Sequence, residues 1–222
     1  VGLLDHDDEL SPDALFEVVR YLNAHPDTDL VYLDEDKIDP QGQRMQPFFK
    51  PDWSPDMLLS FMYTCHFSVY RRECLLEVGG FDPDCNGSQD YDLALKVTER
   101  TQAIGHIPKI LYHWRIVPGS IAEQAMNKLY AYEAGKRALT AALERRGISG
   151  SVEDTFGLKE GLGFYRVRRS CDTSQLVSII IPTRDRLDLL SRCIASIETY
   201  TTYPTYEIVI VDNDSVEQQT LD

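Results

Sequence analysis

Cysteine is scarce and cannot pair off: Cys65, Cys74, Cys85, Cys171 and Cys193 are odd in number, with no C-x-x-C pair and no histidine at zinc-finger spacing. This excludes a disulfide-stapled scaffold and a structural zinc module. It points to a reducing compartment in which each thiol serves packing, since no neighbouring residue supplies an activating base. Long apolar runs are also missing. None approaches the roughly 20 residues that span a bilayer, and the N-terminus lacks the basic-then-apolar order of a secretion signal. The chain opens inside a strand-like run, so the natural N-terminus is expected upstream. Positive charge is the third shortage: 22 Lys and Arg stand against 36 Asp and Glu, a formal net charge of -14. Such a surface repels nucleic acid phosphates and excludes them as partners.

What remains is an ordinary globular composition, 222 residues with 43% hydrophobic content, enough for one large domain or two small ones. The acid is concentrated, because residues 1–40 carry twelve Asp or Glu against only Arg20 and Lys37. A solvated acidic face and a divalent-cation requirement both fit that bias; the tight group Asp5, Asp7 and Asp8 favours the second.

Residues 2–4 read as a buried strand ending in Asp5-His6-Asp7-Asp8. Ser11 can cap a helix with Pro12 in its first turn and Leu15, Val18, Val19 and Leu22 at helical spacing, stopping near His25-Pro26. Leu30-Val31-Tyr32-Leu33 is a short β run ending in the acidic Asp34-Glu35-Asp36. Residues 47–56 mix three prolines with aromatics including Trp53, so they predict an ordered loop over a site, followed by a helix at 55–61. A strand at 67–70, helices at 72–78 and 89–101, a strand at 106–115 and a long helix at 121–146 closed by Gly147 complete this half. Residues 149–173 turn to short β segments. A β-α-β unit then follows: strand 176–182, helix 187–200 and strand 207–211, ending in Asp212-Asn213-Asp214-Ser215. The alternation predicts an α/β fold.

Three clusters could carry chemistry. At a strand end, alternation puts Asp5 and Asp7 on one side, able to share a hard cation with phosphate oxygens, while His6 points away. Asn86-Gly87-Ser88-Gln89-Asp90 is a flexible turn entering a helix, and Asp90 in the first turn can serve as a general base. Its plainer reading is an acid complementing the helix dipole, which suits Asp92 better. In Tyr112-His113-Trp114-Arg115, before Pro118-Gly119-Ser120, His113 could complete a metal shell, Trp114 stack on a sugar and Arg115 neutralise a diphosphate. A lone histidine beside an aromatic is otherwise a packed one.

The strings LLDHDDELSPDAL, VYLDEDKID, PFFKPDWSPDMLL, VYRRE, GGFD, GSQDYDLALKVTE and HIPKILYHWR, then VSIIIPTRDRLDLLSRCIASI and YEIVIVDNDS, resemble the inverting glycosyltransferases of family 2 with the GT-A fold. The likeness is to the bacterial multi-domain members that build O-antigen and related surface glycans. It covers most of residues 1–120 and 176–216. It implies a nucleotide-diphospho-sugar donor, a glycan or lipid-linked acceptor, and Mg²⁺ or Mn²⁺ as cofactor. By position, Asp90 matches the catalytic base, with Gln89 where many relatives have Glu. Asp5, Asp7 and Asp8 match the metal and diphosphate motif, and His113 falls where some relatives contribute to that site. Pro182, Thr183 and Asp185 match the first-strand end beside the nucleotide. Asp212 and Asn213 match the pair that contacts base and ribose, Asn213 replacing a frequent Asp, which leaves the nucleotide base open. The 47–56 loop with Trp53 and the 112–120 segment with Trp114 would border acceptor and donor and close on bound donor.

The halves stand in reverse order for one domain. The resemblance therefore divides the chain into the metal and acceptor half of one GT-A domain with a trailing helix (1–147), a β-rich linker (148–175), and the nucleotide-binding half of a second domain (176–222). Neither half has a complete sheet, so the fragment alone is expected to be inactive. Its strand edges are expected to be covered within one chain or by exchange of half-domains in a dimer. Localisation is expected in the cytoplasm, with the parent at the inner face of the bacterial inner membrane. A sugar-nucleotide or polysaccharide binding module without catalysis is the alternative function, and a metal-dependent phosphohydrolase a more distant one.

Overall fold

The computed structural model describes residues 1–116, 120–154 and 163–221, side chains at 120–128 and 154 excepted. The chain divides into two units, Val1–Arg169 and Ser170–Asp222. The first contains, in order, β1 (Glu9–Leu10), α1 (Ala14–Ala24), β2 (Leu30–Ile38), β3 (Arg44–Phe48), α2 (Pro55–Leu58), β4 (Val69–Tyr70), α3 (Arg72–Glu77), α4 (Gln89–Thr98), β5 (Ile104–Arg115), α5 (Ser120–Arg145), β6 (Gly150–Asp154) and β7 (Tyr165–Arg169).

The organising element is β2. Its Leu30, Val31, Tyr32 and Leu33 are at most 1% exposed, as a strand covered on both faces requires. On one side β5 runs parallel to it from Leu30↔Ile104 to Ile38↔Arg115. On the other, β4 pairs antiparallel with its beginning and β3 with its end. β1 adds antiparallel to the far edge of β5. A mixed sheet with helices against it is the α/β fold that the alternation predicts.

Several local expectations give way to tertiary demands. The acidic Asp34, Glu35 and Asp36 do not end β2 but continue it to Ile38, all three buried. The opening apolar run forms no ladder, because it meets the sheet only through the bridge Gly2↔Val69 and the mutual bonds of Val1 and Tyr70, and Leu4 stays 50% exposed. Helix α1 buries Ala14 and Val18, with Tyr21 and Leu22 partly covered, while Leu15 and Val19 face outward. The small Ala14 and the bare Gly105, whose added Cβ would lie 2.2 Å from the Tyr21 hydroxyl, bring this helix close to the sheet. Ser11 does not cap it; Asp13 holds the cap position, and the Ser11 hydroxyl turns to His113. Of the thiols, Cys85 is buried and Cys65 and Cys74 half-buried, but Cys171 and Cys193 are exposed, so packing does not describe those two.

Helix α5 lays Ala138, Leu139 and Ala142, each fully buried, against the core that includes Tyr91 and Leu95 of α4. The antiparallel β6–β7 pair joins this core through Tyr165, which stacks on Tyr132 at 4.9 Å and donates its hydroxyl to the Tyr132 carbonyl. Gly135 makes the approach feasible, since a Cβ there would stand 2.1 Å from the Tyr165 hydroxyl oxygen.

The second unit consists of β8 (Val177–Thr183), α6 (Leu187–Tyr200), β9 (Tyr206–Asp212) and α7 (Gln218–Leu221), with β8 and β9 parallel. A parallel pair needs a crossover, which α6 supplies. The turn into α6 is made by Asp185 and Arg186 at positive φ, 54° and 61°.

Gly135→Ala gains about 1 kcal/mol of helix propensity but meets a ring fixed by stacking and a hydrogen bond, an overpacking cost of about 1–3 kcal/mol. The expected result is net destabilisation in chemical denaturation with Tyr165 more accessible to solvent; a more stable variant contradicts the account.

Candidate functional site

In the first unit, an open hollow of about 480 Å³ is lined by the opening segment through Asp5, by Cys65, His66 and Phe67, by Gln89 and Asp90, and by Tyr112. The sequence-predicted base and one predicted donor residue thus share a cleft. Asp90 sits in the first turn of α4, half-buried. Burial raises its pKa, opposed by the Tyr91 N–H, the nearby His66 and its own N–H, and reinforced by Asp5; the net direction is upward. A carboxylate with raised proton affinity is suited to accept a proton.

The acidic turn behaves differently from a strand end. Asp8, not Asp7, joins Asp5: its carboxylate accepts the Tyr112 hydroxyl and the Arg115 N–H, the latter at 2.8 Å. Asp7 is outside the lining of the hollow, with its side chain near that of His6 at 3.8 Å and its carbonyl accepting from Arg115. Arg115 also pairs with Glu9. His113 is buried on β5 and occupied at both ring nitrogens, by Asp36 through Nδ1 and Ser11 through Nε2. Trp114 is 44% exposed and tilted against the His66 ring. Trp53 stacks on Tyr63, away from the hollow's lining. Pro118 and Gly119 lie outside the described residues, as does the Ser120 side chain.

Sequence reasoning missed a buried charge cluster behind the cleft. Lys50, whose side chain is wholly buried, donates to Glu35 at 2.8 Å and to the Cys65 carbonyl, while its backbone N–H donates to Asp34. Glu35 also holds His66 Nδ1 at 3.0 Å. Burial raises the Glu35 pKa, but His66 and Lys50 outweigh it and lower the net value. For His66 burial works against the charge, whereas Cys65 and Glu35 favour it and push the pKa up to about 10. Both His66 and Phe67 stand at positive φ, 52° and 53°. Two such residues in succession are costly for side-chain-bearing positions and cluster where a site is being shaped. No local residue pattern announces this, since Glu35 lies 31 positions away in sequence.

A cation could be held here. Asp5, Asp8 and His66 each offer one ligand atom, all within 4.8 Å of one another. Carboxylate oxygens with one imidazole suit Mn²⁺ well and Mg²⁺ through the oxygens.

In the second unit, Pro182, Thr183 and Asp185 line a hollow of about 290 Å³ at the end of β8. The Asp185 carboxylate accepts the Val216 and Glu217 N–H groups at 2.8 Å, which lowers its pKa. The Asn213 N–H donates to the Thr183 carbonyl at 2.8 Å, and Asp212 accepts from Ser215 at 3.3 Å. The predicted residues at both strand ends are thereby tied into one loop cluster.

Residues 178–222 match the model of the glycosyl transferase family 2 domain. Over this segment the chain is similar to glycosyl transferase family 2. Similarity to curated proteins runs along the whole of it. It is 45% identical to the uncharacterized protein y4gI of Sinorhizobium fredii over 100% of the chain and 24% of that protein. It is 43% identical to the O-antigen biosynthesis protein RfbC of Myxococcus xanthus over 99% of the chain and 17% of that protein. A hyaluronan synthase of Pasteurella multocida is 26% identical over 81% of the chain and 18% of that protein. The chain thus spans about a quarter or less of the curated relatives it matches.

Two stability measurements test the site's electrostatics. Lys50→Met leaves Glu35 with His66 alone in a buried setting and is expected to cost about 3 kcal/mol; adding Glu35→Gln should recover part of it, and a neutral single variant refutes the pairing. For Asp90 the folded pKa is raised, so the folded chain binds the proton more tightly than the unfolded one and ionisation costs stability. Asp90→Asn should therefore melt higher than wild type above the folded pKa. The difference should fade as pH falls below the unfolded carboxylate value; no difference at pH 7 argues against a raised pKa.

Proposed function

We propose that the protein containing this chain transfers a sugar from a nucleotide-diphospho-sugar to a glycan or lipid-linked glycan acceptor, with inversion, in the synthesis of cell-surface polysaccharide. The observation that carries this reading is the cleft shared by Asp90 and Asp5, with an Asp8 ligand atom within 4.8 Å of that of Asp5, the base candidate having raised proton affinity. The family 2 match at residues 178–222 and the likeness to an O-antigen biosynthesis protein and a hyaluronan synthase support it.

In this reading Asp90 accepts the proton of the acceptor hydroxyl as that oxygen attacks the anomeric carbon from the face opposite the leaving group. The new C–O bond forms while the bond to the diphosphate breaks, the electron pair leaving with the nucleoside diphosphate. Asp5 and Asp8, with Asp7 beside them, would hold a divalent cation, which supplies charge neutralisation at the departing diphosphate. Tyr112 and the Arg115 N–H keep Asp8 oriented. The second unit would hold a nucleotide at the ends of β8 and β9, where ligands of parallel sheets bind. Because its family match begins at residue 178, that unit reads as the front half of another transferase domain, and residues 1–147 as the back half of one. Half-domains so divided complete themselves within one chain or by exchange in a dimer. A lipid-linked acceptor would draw the parent to the inner face of the membrane, although no helix among the described residues is long and apolar enough to cross it.

The experiment is a screen of nucleotide sugars against the full-length parent, with Mg²⁺ or Mn²⁺ and with chelator, comparing wild type and Asp90→Asn. The variant should lose about 10²–10⁴-fold in kcat with donor affinity retained. Unchanged turnover removes Asp90 as base, and donor binding without any turnover by wild type favours a binding module.

A further inference from the structure

We infer that His66 is a direct ligand of the divalent cation in this cleft, with Glu35 fixing its tautomer. The inference rests on the proposed reading that the cleft takes a cation, and it adds a residue that the sequence motifs do not supply.

The geometry follows a recurrent rule of metal sites: a ligating histidine donates its other ring N–H to a carboxylate, which sets tautomer and orientation. His66 Nδ1 lies 3.0 Å from Glu35, so a cation would take Nε2, displacing the proton that Cys65 and Glu35 favour on the ring. Glu35 is itself held by the buried Lys50. The imidazole is packed face-on against Tyr112 at 5.1 Å and 16° and flanked by Trp114 at 5.1 Å. It therefore cannot turn away without breaking three contacts. A ligating atom of this ring already lies within 4.8 Å of Asp5 and Asp8, and Asp8 is oriented by the same Tyr112 that stacks on the ring. The shape is that of three ligands supported by a second layer: Glu35 behind the imidazole, Tyr112 and the Arg115 N–H behind Asp8.

The other histidines are less available. Both nitrogens of His113 are taken by Asp36 and Ser11. Those of His106 are taken by Asp34 and Asp52. His25 bonds the Tyr21 carbonyl. The His6 side chain is 99% exposed. His66 is the histidine whose ring borders the hollow.

The test uses the 222-residue chain and Mn²⁺ alone, followed by electron paramagnetic resonance. Wild type should bind Mn²⁺ and show ¹⁴N coupling from a coordinated imidazole. His66→Gln should lose that coupling and bind at least tenfold more weakly, whereas His113→Gln should keep it. Glu35→Gln should retain the coupling with affinity reduced about 10–100-fold. If His66→Gln does not fold, the Glu35→Gln result decides, and unchanged affinity there overturns the inference. Bound Mn²⁺ without nitrogen coupling, coupling that persists in His66→Gln, or no Mn²⁺ binding by wild type also overturns it. Donor turnover by the parent is read separately: a transferase whose metal lacks nitrogen coupling loses His66 as ligand but keeps its proposed activity.

Discussion

Three successive carboxylates on a buried strand set the terms for the first unit. A charge taken out of water costs several kcal/mol unless it is paired and hydrogen-bonded, so Asp34, Glu35 and Asp36 each require a cationic or hydrogen-bonding partner. Those partners arrive from distant segments: His106 and His113 from β5, Arg44 from β3, Lys50 from the proline-rich segment and His66 from the loop before β4. The core thereby specifies loop positions by charge as well as by shape. Lys50 shows the economy of this arrangement, since one side chain joins β2 to the carbonyl of Cys65, the residue preceding His66.

The cleft inherits its order from that cluster. His66 and Phe67 occupy a backbone region that side-chain-bearing residues enter only under constraint. The constraint is visible: Phe67 is buried beside Val31 and Leu33 while His66 is bound to Glu35. An apolar anchor on one residue and an ionic anchor on the next hold the turn open toward the hollow. Asp90 faces the same space from the start of α4, so this carboxylate and the imidazole come from elements that meet only in the folded chain.

Legibility in the sequence followed the range of the determining interaction. The helices near 89–98 and 187–200 and the strands near 177–183 and 206–212 were readable because periodicity and end signals are local. Asp90 was readable for the same reason, as an acid just inside a helix after a glycine turn. The opening run Gly2-Leu3-Leu4 satisfies strand composition, but a strand also needs lateral partners, and only Val69 and Tyr70 lie alongside. In α1 the apolar pattern permitted two faces; contact with β5 selected Ala14 and Val18 over Leu15 and Val19. The acidic trio read as a strand end because acid opposes burial, and its compensating partners lie 8 to 77 positions away. His66 was invisible on both counts, lacking a local motif and depending on Glu35.

Residue type alone therefore does not divide chemistry from architecture. His113 and Asp185 stand where the family resemblance implies ligand contact, yet each is already engaged by the fold: His113 between Asp36 and Ser11, Asp185 by two backbone N–H groups. A carboxylate accepting two N–H bonds has its charge well satisfied and acts chiefly through the loop shape it enforces. By holding Val216 and Glu217 against the start of α6, Asp185 gives the ends of β8 and β9 a common rim, with Asp212 and Asn213 on its exposed side. In the first unit Tyr112 plays the corresponding part, one hydroxyl fixing Asp8 while its ring fixes His66. In both units the groups facing the hollow are ordered by neighbours that the fold has already committed, and ordering of this kind lets a few polar side chains act on a ligand without paying its full conformational cost.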